Sequence, residues 1–236
     1  MGGLMELGTI GVLGGMGPAA TAHFMGRLVV LCAAEQDQDY PPCLAYSASH
    51  VPDRTRHLVG DGDDPTAELR EAARILEAGG AGVIGIPCNT AHAYIESIRD
   101  AVEVPVLNMI ELAAATIASL HPRADVGVLA ATGTVQLGLY QAALESEGLG
   151  VVQPSPDQQV DVMAAIREVK AGGSGRDARL DQTIARLHDA GATVLVLGCT
   201  ELPLAVDPAS TGTPVIDATD VLARACLEWA GAKQRP

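Results

Sequence analysis

Aromatic residues make up only 3% of this 236-residue chain, with one Trp and one Phe, so a core must be assembled from Ala, Val, Leu and Ile. At 48% apolar residues the chain has enough of them for one large domain or two small ones. Basic residues are also scarce, 15 against 29 acidic, giving a formal net charge of −14. That field disfavours nucleic acid, whose phosphates require a basic patch. An anionic small molecule would have to find a local exception to it. Lysine occurs only at Lys170 and Lys233. Pyridoxal phosphate is held by a Schiff-base lysine. Lys233 stands in the tail, and Lys170 precedes the glycine-rich break GGSG (172–175) with no phosphate motif nearby, so chemistry without a cofactor is expected.

The five cysteines (32, 43, 88, 199 and 226) are odd in number, widely spaced and without a CxxC pair. That spacing suits neither a disulfide scaffold nor a zinc site, and no metal is expected. Gly11, Gly14 and Gly17 do not have the GxGxxG spacing of a dinucleotide fold. Long apolar runs are missing too, so no membrane span is expected. The opening MGGLMELGTIG has no basic segment leading into a long apolar one, and the expected location is the cytoplasm.

What is present is a repeated alternation of short apolar runs, turns and Ala-rich helical stretches. Strands are expected at 8–13, 43–46, 83–86 and 104–107, then again at 124–129, 151–153, 194–197 and 215–216. Helices are expected at 19–35, 65–78, 109–120, 135–147, 158–171, 176–190 and 219–229, the second with Leu69, Ala72, Ala73 and Leu76 at helical spacing. Strands alternating with helices predict an α/β fold of mainly parallel sheets covered on both faces. The order restarts midway. GTIGVLGGMG corresponds to ADVGVLAATG, GVIGIPCNT to TVLVLGCTE, and VPVLNMIE to TPVIDATD. Cys88 and Cys199 are 111 residues apart, Asn108 and Asp217 109. The near-constant offset predicts two pseudo-symmetric three-layer domains with a cleft between them. Ligands of open α/β sheets bind beyond the carboxyl ends of the strands, where both Cys88 and Cys199 fall.

A lone cysteine is commonly a packing residue, the reading adopted for Cys32, Cys43 and Cys226. Cys88 and Cys199 each end a strand and adjoin hydroxyl or amide groups, which fits either packing or catalysis. If catalytic, the pair suits inversion at an acidic carbon: one thiolate removes a proton from one face, and the opposite thiol delivers one to the other. Asn89, Thr90, Thr200, Thr132 and Thr134 supply small donors for the negative charge that builds on the substrate. The turn GGMGP (14–18), with Met16 at its centre, opens a helix whose amides can face an anion. Arg54, in a loop-like VPDRTR segment, fits carboxylate recognition or a surface pair with Asp53. Lys170 fits either a charge for an acidic substrate or a favourable helix end.

These segments together resemble the aspartate/glutamate racemases that work without pyridoxal phosphate, the aspartate racemase branch above all. The resemblance rests on GVLGGMGPAAT (11–21), VPDRT (51–55), PCNTAH (87–92), ATGT (131–134), IREVKAG (166–172) and LGCTELPL (197–204), spread in order over nearly the whole chain. It implies a two-base mechanism with Cys88 and Cys199 as the catalytic pair. It also implies a substrate site of Met16, Arg54, Asn89, Thr90, Thr132, Thr134, Lys170 and Thr200, and a homodimer. The chain is expected to divide into residues 1–108 with 218–236, and residues 109–217. The family's SNPQIPDRT-like stretch reads SASHVPDRT (47–55) here, with Ala48, Ser49 and His50 in place of an asparagine-containing turn. The expected substrate is a small acidic amino acid, aspartate first. Glutamate or a broad amino-acid range is an alternative. Two others are a one-cysteine isomerase or decarboxylase and a non-enzymatic protein that binds an acidic ligand.

Overall fold

The computed structural model describes residues 7–236. The first six residues, on which the start of the expected first domain and part of the leader reading fall, lie outside the described residues. Among the described residues no helix is long and apolar enough to cross a membrane.

Two parallel sheets form. The first contains β1 (Ile10–Gly14), β2 (Cys43–Ser47) and β3 (Val83–Gly85) in the order β2-β1-β3. The second contains β4 (Asp125–Ala130), β5 (Gly150–Val152), β6 (Val194–Gly198) and β7 (Val215–Asp217) in the order β5-β4-β6-β7. Each half thus puts its first strand in the middle and its cysteine-bearing strand beside it. The strand expected at 104–107 is reduced to one parallel bridge, Ile84 to Val106. Pro105 lacks an N–H and Asn108 already caps the next helix, so little ladder is left between them.

Period-two alternation aims the strands at separate cores. Ile10, Val12 and Val83 of the first sheet, and Val126, Val128, Val194 and Val196 of the second, share one buried core between the sheets. That core is filled by α1 (Pro18–Leu31), α5 (Met109–Leu120), α7 (Leu139–Ser146) and α11 (Ala218–Trp229). Leu13 and Ile84 face outward onto α3 (Thr66–Ala78) and α4 (Ile95–Arg99). On the far side, Leu129, Leu195 and Leu197 face α8 (Pro156–Lys170), α9 (Ala178–Asp189) and α10 (Leu202–Ala205). Each sheet therefore has helices on both faces, and the two inner helix layers merge. The last helix lies against the first sheet because Gly85 leaves space for it: a Cβ there would sit 2.8 Å from Cys226 Sγ.

Three local differences from the sequence reading bear on the site. The first helix ends at Leu31, not 35, because Cys32 turns extended to bridge Gln234. VPDRTR is not a loop: Asp53 accepts from Arg56 N and caps a short helix, α2 (Arg54–Leu58). The helix expected at 135–147 is two. The ATGT segment is already helical in α6 (Thr132–Gln136), and Gly138, at φ +62°, breaks the chain before α7.

Candidate active site

Because all strands in each sheet run parallel, their carboxyl ends lie along one edge. Beyond β1, Gly15 adopts φ +90°, and a Cβ there would meet Ala48 N at 2.5 Å, so only glycine lets the turn pack on the backbone after β2. That turn delivers Met16. The segment after β3 delivers Cys88, and β6 delivers Cys199. At the mouth α2 of the first half packs on α6 of the second. A Cβ on Gly133 would come within 3.2 Å of Thr55 Cα, the glycine permitting this close approach.

A cavity of about 310 Å³ lies between these strand ends. Met16, Arg54, Cys88, Asn89, Thr90, Lys170, Cys199 and Thr200 all line it. Thr132 and Thr134 are not in its lining. Thr134 stands behind Thr90, their hydroxyls 3.0 Å apart, and Thr132 Oγ1 accepts from Gln159 Nε2 at 3.3 Å.

On one wall, Cys88 is 5% exposed and precedes a 3₁₀ helix over Asn89–Tyr94. His92 in that helix braces the cysteine from behind. Its Nε2 accepts from Met109 N at 3.1 Å, which leaves the proton on Nδ1 to be donated to the Cys88 carbonyl at 3.0 Å. Burial pulls His92 down to about 4, so the ring is neutral at neutral pH. Asn89 is fixed by Tyr140, whose hydroxyl donates to Asn89 Oδ1 at 2.7 Å, leaving Asn89 Nδ2 buried without a partner.

On the other wall, Cys199 is 6% exposed. Gly198 before it gives way to Tyr140, whose Cε2 would be 2.6 Å from a Cβ at that position. Thr200 Oγ1 donates to Pro87 O at 3.2 Å, tying the second cysteine segment directly to the first. The Cys199 thiol donates to Glu201 Oε2 at 3.0 Å, and Glu201 is only 2% exposed. Burial pushes the Cys199 thiol well up, and the Glu201 charge pushes it further, with Lys170 opposing.

The cationic side departs from simple expectation. Arg54 pairs neither with Asp53 nor with open space: Nη1 donates to Val51 O at 3.2 Å and Pro52 O at 2.9 Å, and Nη2 to Met16 O at 3.1 Å. It braces the Met16 turn and keeps only Nε without a partner. Lys170, the last residue of α8, is exposed as a whole and lines the cavity. Burial pulls its ammonium down, but Glu201, Cys199 and Cys88 outweigh that and Arg54, so the net direction is up. Asn89 Nδ2, Arg54 Nε and Glu201 Oε1 are thus three buried polar atoms without partners in one cavity. An unsatisfied buried group costs about 1–3 kcal/mol, which a ligand with carboxylate and ammonium ends would offset.

His92, Tyr140 and Glu201 escaped the sequence reading. His92 and Glu201 lie inside the PCNTAH and LGCTELPL segments, and motif membership was the signal available for them. Tyr140 carries no such signal, because its partner Asn89 is 51 residues away. A larger groove of about 480 Å³ opens between α1, α5 and α11. It contains no cysteine, and its Arg27 is already paired with Asp220. The smaller cavity, where the motifs converge, is the candidate site.

Comparison with known proteins bears on the family and the fold. The family model for Asp/Glu/hydantoin racemase matches residues 13–226. The broad specificity amino-acid racemase RacX of Bacillus subtilis is 31% identical over 225 residues, covering 92% of this chain and 96% of that protein. Among solved structures, the aspartate racemase of Picrophilus torridus superposes with a TM-score of 0.85 at 30% identity, covering 97% of this chain and 96% of that one. An aspartate racemase homologue from Pyrococcus horikoshii gives 0.77 at 25% identity, covering 96% and 100%. With the match running through both cysteine-bearing strands, this chain belongs to the Asp/Glu/hydantoin racemase family and is an isomerase of the racemase kind.

Proposed function

We propose that the protein interconverts the L and D forms of a small acidic amino acid, aspartate first, by two-base proton transfer between Cys88 and Cys199 without pyridoxal phosphate. One observation carries this reading: two cysteines from equivalent strand ends line a single cavity of amino-acid size, next to unpartnered donors. One thiolate takes the Cα proton while the opposite thiol protonates the other face. The electron pair left on Cα spreads onto the α-carboxylate, where fixed donors such as Asn89 Nδ2 lower the barrier. Lys170 and Arg54 Nε supply positive charge for the second carboxylate in a chain of net charge −14. In this reading the chain divides at Asn108 and Asp217, so that each half provides one acid–base wall.

A broad amino-acid range is the second reading. It is favoured by Arg54, three of whose four Nη N–H donors go to backbone carbonyls, and by the likeness to RacX, named for broad specificity. Incubating each enantiomer of aspartate, glutamate and neutral amino acids in heavy water tests both readings. Deuterium at Cα with loss of optical activity on aspartate or glutamate is the expected outcome. Equal or faster turnover of neutral amino acids would favour the second reading, and no exchange on any amino acid would overturn both.

A further inference from the structure

Glu201 is the buried ionisable group that the two-thiol reaction leaves without a task. It is 2% exposed, and its Oε2 accepts the Cys199 thiol at 3.0 Å. Its Oε1 has no partner. Gly17, the cap of α1, leaves space for it, since a Cβ at that position would lie 3.2 Å from Oε1. Among the described residues no backbone or side-chain N–H donates to this carboxylate. In the short contact the Cys199 thiol is the donor and Oε2 the acceptor. Among the described residues the Cys88 wall has no counterpart. The other carboxylate in the cavity lining, Asp53, is engaged in capping α2, and the ring behind Cys88, His92, is neutral.

We infer that Glu201 is a positioning residue that keeps Cys199 protonated in the resting enzyme, so that Cys88 is the thiolate that acts first. This rests on the two-thiol reading proposed above. The charged and titratable groups that share the cavity with Cys199 are Glu201 beside it, Arg167 and Lys170 from α8, Asp53, Arg54 and Arg56 at α2, and Cys88, with Tyr140 from α7 also close enough to feel the Cys199 charge. Of these, Glu201 alone is in direct hydrogen-bond contact with the sulfur. From the resting state the Cα–H bond breaks and an S–H bond forms on Cys88. The Cys199 proton passes to the opposite face of Cα, leaving a Cys199 thiolate beside the Glu201 carboxylate. Two adjacent anions are unfavourable, so Cys199 regains a proton from water and Cys88 loses one to water after product leaves. No net proton is consumed. Enantiomers have equal free energies, so kcat/KM is the same in both directions whatever Glu201 does. Its effect is therefore read on the thiols.

The test is alkylation of each cysteine by iodoacetamide as a function of pH, followed by peptide mass spectrometry, in the wild type, Glu201→Gln and Glu201→Asp. In the wild type the Cys199 midpoint should lie at least about one pH unit above that of Cys88, a tenfold difference in thiolate fraction. Glu201→Gln should lower the Cys199 midpoint by about one unit or more and leave that of Cys88 nearly in place, with Glu201→Asp between. Using the midpoint rather than the rate separates protonation from access. Equal midpoints in the wild type, an unmoved Cys199 in Glu201→Gln, or a raised one would overturn the assignment. The wild-type comparison stands even if a variant fails to fold. The readout also needs no substrate: unequal midpoints without racemisation would sink the proposed function alone, and racemisation with equal midpoints would sink only the Glu201 assignment.

Discussion

The two cysteine segments share a backbone plan and differ in what surrounds the sulfur. Both follow a buried strand next to the first strand of their half, in sheets whose first three strands share one order, the second sheet adding β7. The Cys88 segment continues into a 3₁₀ helix held by a neutral histidine and an amide fixed by Tyr140. The Cys199 segment is followed at once by a buried carboxylate in contact with the thiol. Repetition of the fold therefore places two like groups symmetrically, while the neighbours make them chemically unlike. That combination suits a reaction in which one group must be a base while its twin is an acid.

The strongest way to break the comparison is to remove one sulfur at a time. Cys88→Ala and Cys199→Ala should each lower racemisation by about 10³-fold or more, measured by chiral chromatography, since each positioned acid–base group is worth roughly 10²–10⁴. Each variant should still exchange the Cα proton of one enantiomer only, and opposite enantiomers should survive in the two. Full turnover in either variant would point to a one-cysteine reaction, and unaltered ligand binding with no chemistry in the wild type to a binding protein.

Next in size is the bracing of the first half. Arg54→Ala strips three carbonyls of a buried donor and should cost roughly 3 kcal/mol or more in thermal or urea unfolding. Arg56→Ala, whose partner Asp61 is exposed, should stay within about 0.5 kcal/mol. Equal losses would mean that Arg54 holds nothing together.

A pH scan sharpens the histidine side. His92 is depressed from 6.5 to about 4 by burial, so its unfolded form takes a proton first as pH falls. Its contribution is fully present above about pH 6.5 and is lost as pH drops toward 4, up to about 3 kcal/mol in all. His92→Gln should flatten that limb of the stability profile, measured by urea midpoints at each pH. An unchanged slope would dismiss the assignment. Smallest is Tyr140→Phe, which frees Asn89 Oδ1 and should cost about 1 kcal/mol while lowering kcat more than it raises KM.

Much of this architecture was legible beforehand. Valine and leucine at alternating positions in short runs, interrupted by glycine turns, identify parallel strands buried on both faces, and β1, β4 and β6 lie where such runs stand. Met109–Leu120 follows the apolar period with Asn108 as its cap. Boundaries failed where the decisive partner is distant. Cys32 leaves the helix for Gln234 at the other end of the chain. The ATGT segment reads as a turn until α2 packs against it. Arg54 shows the same limit at the site: residue type fits a carboxylate clamp or a pair with Asp53, and the geometry gives three of its four Nη N–H donors to backbone.

Local chemistry along the chain is enough to specify the repeated strand–helix units, the glycine turns and the place of each cysteine just past a strand end, because each depends on neighbours within a few residues. Which polar groups finish unpartnered in the cavity, which carboxylate touches which thiol, and how the two inner helix layers fuse into one core are decided by contacts between residues tens to hundreds of positions apart. Burial and hydrogen bonding act through space, and only the folded chain sets those distances.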